Sequence, residues 1–335
     1  MAGLMGGDGV CVAGAGAWGT ALAILAARAG RRTTLLARAA PIAAEINMAR
    51  ENQLRLPGRA LPDGLRVTAD PAEALAGAGL LLLVTPSQSV RAMCARLAPH
   101  AAPDLVVVVC AKGVERATGL MMTEVVQQAL PGHPVAALSG PSFAAEAADG
   151  LPTAVTIACA DLSVAQEAAA ALAHGAFRPY ASADVVGVEL GGACKNVIAI
   201  ACGAADGLGL GANARAALIA RGLAEIGTLG AAMGADPATL AGLAGLGDLV
   251  LTCTSAKSRN MAFGIALGRA GSMAGLPEGP GTLAEGAVNA ASVTDLARAR
   301  GVEMPICEAV RAVLESRIDL SDAIRGLLAR PLRDE

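Results

Sequence analysis

Aromatic side chains are nearly missing from this chain, with one Trp, one Tyr and three Phe in 335 residues. That scarcity removes the stacking platforms on which single-stranded nucleic acids and sugars are gripped. A large excess of either charge is lacking too: 26 Lys and Arg stand against 29 Asp and Glu, for a net charge of −3. Without a basic excess or a charged tail, no nucleic-acid partner is expected. Histidine is scarce, with three in the whole chain. None lies at zinc-ligand spacing from a cysteine, and no C-x-x-C occurs, so no metal site is expected. The eight cysteines (Cys11, Cys94, Cys110, Cys159, Cys194, Cys202, Cys253, Cys307) are scattered, mostly in apolar runs. They read as reduced core thiols.

Long apolar runs are also lacking at the strand-like segments. Mean hydropathy is +0.53, but much of it is alanine, which favours helix without implying lipid. The runs at 80–84 and 105–110 are short and bounded by Gly, Pro or Lys. They suit buried parallel strands rather than a span of about 20 apolar residues, so no membrane span is expected. MAGLMGGDG at the start has neither a basic region nor an apolar segment, so a cytoplasmic protein is expected.

The length allows two domains and a sizeable core. Residues 10–13 read as a strand running into Gly14-Ala15-Gly16-Ala17-Trp18-Gly19, followed by an alanine-rich helix over 20–29. This is G-x-G-x-x-G in strand–turn–helix context. The first glycine makes the turn, the second lets a pyrophosphate approach, and the third lets helix and strand pack closely. The helix N-terminus adds N–H groups and a positive dipole end. A second strand over 33–37 ends at Arg38, where an acidic residue would select NAD. Arginine suits the 2′-phosphate of NADP, so NADPH is expected to be preferred or accepted.

Further strands are expected at 80–84, 105–110, 135–138 and 153–159. Three of them end in Thr85-Pro86-Ser87, Ala111-Lys112-Gly113 and Ser139-Gly140-Pro141-Ser142. Ligands of such sheets bind off the carboxyl ends of strands, so small, hydroxyl and lysine residues recurring at one edge mark a site. After about 181 the strand signals stop and helical periodicity takes over, with glycine-rich breaks at 203–211 and 271–281. The expected fold is α/β: a Rossmann-like doubly wound sheet over 1–182, then an all-helical domain over 183–335.

The helical half carries Lys195 in VGVELGGACKNVIAIACGAA, flanked at helical spacing by Gly191, Gly192, Ile198, Ala199 and Cys202. Two readings stand open at this stage. One is a lysine reaching water past a helix end; the other is a functional ammonium on a small-residue face. Two polar clusters follow, Gly245 to Cys253 around Asp248, and Ser255 with Lys257-Ser258-Arg259-Asn260. Arginine's planar fork suits phosphate oxygens, while Ser258 also fits a helix cap. Gly281-Thr282-Leu283-Ala284-Glu285-Gly286 reads as a loop entering a helix.

GAGAWGTALA, the lysine of AKG, SGPSFAAE, GLPTAV, GGACKNVIAI, GANARAALI, GLGDLVLTC and SRN occur here in this order. Together they resemble the bacterial NAD(P)-dependent glycerol-3-phosphate dehydrogenases from end to end. The resemblance implies an oxidoreductase that reduces dihydroxyacetone phosphate to sn-glycerol 3-phosphate with NADPH or NADH, supplying glycerophospholipid synthesis, and a homodimer. It implies Lys195 as general acid–base and Lys112, Gly140, Ser142, Asp248, Ser258, Arg259 and Asn260 around the substrate. For the cofactor it implies Gly14, Gly16, Ala17, Trp18, Gly19, Arg38, Lys112, Ala144, Arg259, Leu283 and Glu285. Ala17 stands where the family commonly has serine, which removes one hydroxyl from the phosphate loop. The three histidines (His100, His133, His174) sit beside Pro or Gly in loop-like contexts, which leaves lysine as the acid. A 3-hydroxyacid or 6-phosphogluconate dehydrogenase-like reductase shares a lysine motif of this kind but not the DLVLTC and SRN clusters. A non-catalytic NADPH sensor leaves Lys112, Lys195 and Asp248 unexplained.

Overall fold

The computed structural model describes residues 7–276 and 284–329. The chain separates into two compact units, Met1–Glu115 with Leu120–Glu189, and Arg116–Gly119 with Leu190–Glu335.

The first unit is built on strands β1 (Gly9–Ala13), β2 (Arg32–Leu36), β3 (Arg66–Thr68), β4 (Ala78–Leu83), β5 (Val106–Val109), β6 (Val135–Ser139), β7 (Thr153–Ala158) and β8 (Phe177–Ser182). Among the described residues they form one sheet in the order β3-β2-β1-β4-β5-β6-β7-β8. Every neighbouring pair is parallel except β6 with β7. Helices α1 (Ala17–Arg28), α2 (Ala40–Ala49), α3 (Pro71–Leu75), α4 (Val90–Leu97), α5 (Met122–Ala129), α6 (Ala144–Ala148) and α7 (Leu162–Leu172) connect them. The central strands are buried along their whole length, as strands covered on both faces must be. Alternate residues supply two cores. Val12, Leu82 and Val108 pack with α1, whereas Leu81, Val107 and Val109 pack with Val90 and Cys94 of α4 and Val125 of α5. β1 stands between β2 and β4, so the chain order reverses there. A ligand crevice lies at such a reversal, off the carboxyl ends of the strands.

The six strands read from sequence are present with ends shifted by at most two residues. β3 and β8 carry no such signal in the sequence. Three residues are too few for a period to register, and β8 is an edge strand with Pro179 and half-exposed residues.

The second unit is helical: α8 (Val185–Gly207, which begins in the first unit), α9 (Gly211–Met233), α10 (Pro237–Ala241), a π-helical turn over Leu243–Gly247, α11 (Asp248–Thr254), α12 (Arg259–Ala270), α13 (Glu285–Ala299), α14 (Pro305–Leu314) and α15 (Leu320–Leu328). The expected glycine-rich break at 203–211 falls at 208–210, between α8 and α9. α8 runs on to Gly207, and a Cβ at Gly203 or Gly207 would lie 2.2 or 2.3 Å from a carbonyl oxygen of α12. Gly264 and Gly268 of α12 return the contact against Ile200 and Ala204. The glycines let two backbones touch instead of breaking the helix. Glu225 of α9 caps α14, accepting from the N–H groups of Ile306 at 2.6 Å and Cys307 at 3.3 Å. Three helical stretches, Val185–Gly207, Gly211–Met233 and Pro237–Thr254, are long and apolar enough to cross a membrane by length and composition. The short strand runs did not reveal this. The apolar stretch of α8 is 78% buried within the protein, so its hydrophobicity is that of a core helix. All eight cysteines are buried free thiols, as expected.

Glu189 lies on α8 at the end of the first unit. Its carboxyl takes the N–H of Thr123 at 2.9 Å and the Thr123 hydroxyl at 2.6 Å, at the start of α5. Burial pushes this carboxyl from the ordinary 4.5 up to about 7, against the pull of the Thr123 hydrogen bonds. A carboxyl with a raised folded pKa contributes stability that is fully present below the unfolded value and is lost as pH rises through the folded one. The loss here amounts to roughly 3 kcal/mol. Urea unfolding of Glu189→Gln at pH 5 and pH 8 should therefore show the variant gaining on the native chain by up to roughly that amount at the higher pH. A difference that does not change with pH contradicts the assignment.

Candidate active site

Lys195 sits in the middle of α8, not at its end, and is 8% exposed. This settles the two open readings against a solvated lysine. Its Nζ donates to Asp248 Oδ1 at 2.5 Å and to Thr252 Oγ1 at 3.1 Å. The Thr252 hydroxyl donates in turn to the Asp248 carbonyl oxygen at 2.6 Å. A buried ammonium requires such a partner, and a carboxylate with good hydrogen-bond geometry is the strongest available.

Backbone packing produces this meeting. A Cβ at Gly191 would lie 2.2 Å from the Ala244 carbonyl oxygen, so α8 and the π-helical turn approach to backbone contact. Lys195 and Asp248 each follow that contact by four residues, one helical turn further on. Asp248 is the first residue of α11, which continues the π-helical turn without a break. The neighbouring Cys253 thiol is held far above its ordinary pKa by a hydrogen bond with Cys202 and by burial, although Lys195 pulls it down. A thiol held protonated and buried does not act as a nucleophile.

The next residue, Asn196, begins a second group. Asn260 donates to Asn196 Oδ1 at 2.9 Å and accepts from the Gly286 N–H at 2.8 Å. Arg259, at the start of α12, faces Glu285, at the start of α13, across 3.6 Å. Both are solvent-exposed, so this pair holds the guanidinium only weakly. Ser258 is buried and caps α12, accepting from the Met261 N–H at 3.3 Å. Its hydroxyl is thus already engaged as the alternative cap reading anticipated. Leu283 lies outside the described residues.

In the first unit, the residues expected at the cofactor or at the substrate all follow strand carboxyl ends. Gly14 to Gly19 follow β1, Arg38 follows β2, Lys112 follows β5, and Gly140, Ser142 and Ala144 follow β6. The three glycines of the loop differ in their surroundings. Gly14 is at φ +125°, and a Cβ there would lie 2.7 Å from the Val84 carbonyl oxygen. A Cβ at Gly19 would fall 1.8 Å from the Gly14 carbonyl oxygen, while at Gly16 it would meet nothing within 4 Å. That open position before α1 fits a pyrophosphate. Arg38 is exposed beyond β2, and Lys112 is half-buried just before Gly113 at φ +148°. Gly140, at φ +146°, presses on Val155, and its carbonyl accepts from Ser142 Oγ at 3.1 Å.

Family models place the chain with known enzymes. Residues 9–165 match the NAD-dependent glycerol-3-phosphate dehydrogenase N-terminus and residues 184–325 match the C-terminus. The chain belongs to the NAD-dependent glycerol-3-phosphate dehydrogenase family. It is 52% identical to glycerol-3-phosphate dehydrogenase [NAD(P)+] of Rhodospirillum rubrum, over 98% of this chain and 94% of that one. It is 53% identical to the enzyme of the same description from Azorhizobium caulinodans, over 98% of both chains. The crystal structure of glycerol-3-phosphate dehydrogenase from Coxiella burnetii is similar at 38% identity, with a TM-score of 0.90, over 97% of this chain and 99% of that one. Members of this family are NAD(P)-dependent oxidoreductases, and the open glycine loop fits that cofactor.

Sequence reasoning singled out Lys195, Asp248, Arg259 and Asn260 but not Thr252, Asn196 or Asn52. Thr252 was legible, since it stands four residues after Asp248 on one helix. Asn196 follows Lys195 directly. Asn52, which donates to the Ala15 carbonyl oxygen of the glycine loop at 3.1 Å, has no local signal.

Removing Asp248 would leave the Lys195 ammonium buried without its carboxylate. Asp248→Ala should cost about 3 kcal/mol in urea unfolding, the cost of breaking a buried pair. Adding Lys195→Met should recover most of it; no recovery in the double variant contradicts the pairing.

Proposed function

We propose that this protein catalyses the reversible reduction of dihydroxyacetone phosphate to sn-glycerol 3-phosphate, with NADPH or NADH as reductant. In this reading residues 1–182 hold the cofactor, residues 183–335 hold the substrate, and Lys195 is the general acid–base. The observation that carries it is the ammonium of Lys195, buried in the helical unit on Asp248 and Thr252. The protein works as a cytoplasmic homodimer feeding glycerophospholipid synthesis, as its family resemblance implies.

When bound, the nicotinamide supplies the hydride. As the substrate carbonyl is reduced, negative charge gathers on its oxygen. Lys195 stabilises that charge and then donates a proton to it. Asp248 keeps the lysine charged and aimed, and Thr252 fixes a second direction of the ammonium. Arg259, with Asn260 and Ser258 beside it, grips the phosphate. Its exposed pairing with Glu285 is weak enough to exchange for a dianion. The family resemblance assigns Lys112, Gly140 and Ser142 to the substrate as well. For the dinucleotide the resemblance assigns Ala144, Leu283 and Glu285 with the glycine loop and Trp18, and Arg38 for the 2′-phosphate of NADP.

Absorbance at the nicotinamide band tests the reading directly. Purified protein should oxidise NADPH rapidly with dihydroxyacetone phosphate and negligibly with unphosphorylated dihydroxyacetone; equal rates with both ketones would remove the phosphate grip. Catalytic efficiency with NADPH should match or exceed that with NADH if Arg38 reads the 2′-phosphate. Lys195→Ala should lower turnover at least ~100-fold, the low end for losing a general acid–base, with cofactor binding largely kept. Arg259→Ala should chiefly raise KM for the ketone phosphate. An effect confined to cofactor affinity would reassign that arginine.

A further inference from the structure

Asn52 is 3% exposed and lies beyond α2, far in sequence from the glycine loop. Its backbone belongs to a turn whose ends are joined by the Glu51–Ala60 bridge and by the Leu61 N–H to the Arg50 carbonyl at 2.7 Å. The side chain Nδ2 donates to the Ala15 carbonyl oxygen at 3.1 Å and to Thr20 Oγ1 at 2.8 Å. The Thr20 hydroxyl donates to the Gly16 carbonyl oxygen at 2.8 Å. One buried amide therefore holds the loop at Ala15 directly and at Gly16 through Thr20.

The consequence follows from peptide geometry. In a planar trans peptide the C=O of one residue and the N–H of the next point in opposite directions. Drawing the Ala15 carbonyl inward to Asn52 turns the Gly16 N–H outward, at the position where a Cβ would meet nothing within 4 Å. We propose that Asn52 is a positioning residue that sets the Ala15–Gly16 peptide so that the Gly16 N–H faces the cofactor pyrophosphate. This inference rests on the reading of the glycine loop as a pyrophosphate cradle.

Trp18 is the only tryptophan in the chain and lies in the first turn of α1, next to this loop, so energy transfer from it to NADPH reports binding without turnover. Adenosine 2′-phosphate, which lacks a pyrophosphate, competing against NADPH, serves as the control ligand. Asn52→Ala should weaken NADPH about tenfold and leave adenosine 2′-phosphate within twofold of the native value. Turnover at saturating NADPH should stay within about twofold, while KM for NADPH rises with the dissociation constant. A residue that merely supports the fold would change the amount of binding-competent protein without separating the two ligands. Should Asn52→Ala fail to fold, Thr20→Val removes the hydroxyl that links Asn52 to Gly16, and about a threefold weakening of NADPH is expected. Unchanged NADPH affinity in the folded variant, or equal loss for both ligands, overturns the proposal. Failure of the native protein to bind NADPH overturns the cradle reading itself.

Discussion

The buried pair of Lys195 and Asp248 is the constraint around which the helical unit is arranged. An ammonium 8% exposed on an apolar helix is tolerable only with a carboxylate in direct contact. Asp248 reaches it only because α8 meets the π-helical turn at Gly191, with carbonyl oxygen where a side chain would otherwise be. The same device recurs along α8, where Gly203 and Gly207 meet Gly264 and Gly268. Close backbone packing fixes the helices firmly enough that a costly ion pair can be held in one geometry. An ion pair of this kind is a poor source of stability, which is a reason to look for its value in chemistry.

The nucleotide-binding unit solves a different problem with similar means. A pyrophosphate needs bare backbone N–H groups and space, and both come from small residues. Gly14 and Gly19 pack the loop against its own strand and helix, leaving Gly16 uncovered. Such a loop has little side-chain mass to steady it. The steadying bonds come from Thr20 and from Asn52, a distant residue that the topology brings underneath.

Much of this was legible in the sequence because it is local. The glycine spacing, the apolar strands and the residues at their carboxyl ends each depend on short stretches. Lys195 stood out for a local reason too, as one charge on a face of small residues. What was not legible depends on contacts between distant segments. Asn52 looks like any loop asparagine until the chain folds it onto Ala15. The break expected over 203–211 falls at 208–210, but that Gly203 and Gly207 serve contact with α12 shows only once α12 is in place. β8 was missed because an edge strand with a proline lacks the apolar run of its neighbours. Glu189 shows the same limit: only burial distinguishes it from a surface carboxylate.

Chemical rescue is the most direct measurement of the central assignment. Lys195→Ala opens a small cavity beside Asp248, of a size to admit methylammonium or ethylammonium. If Lys195 supplies the proton, such amines should restore turnover of dihydroxyacetone phosphate in a saturable manner, with rates that vary with amine acidity. Restoration should fail when Asp248 is also removed, because the carboxylate that holds the cation would be gone. If the variant binds NADPH and the ketone phosphate, yet no amine restores its turnover, or if it turns over at near-native rates without amine, then the proton comes from elsewhere and the account built on the pair is wrong.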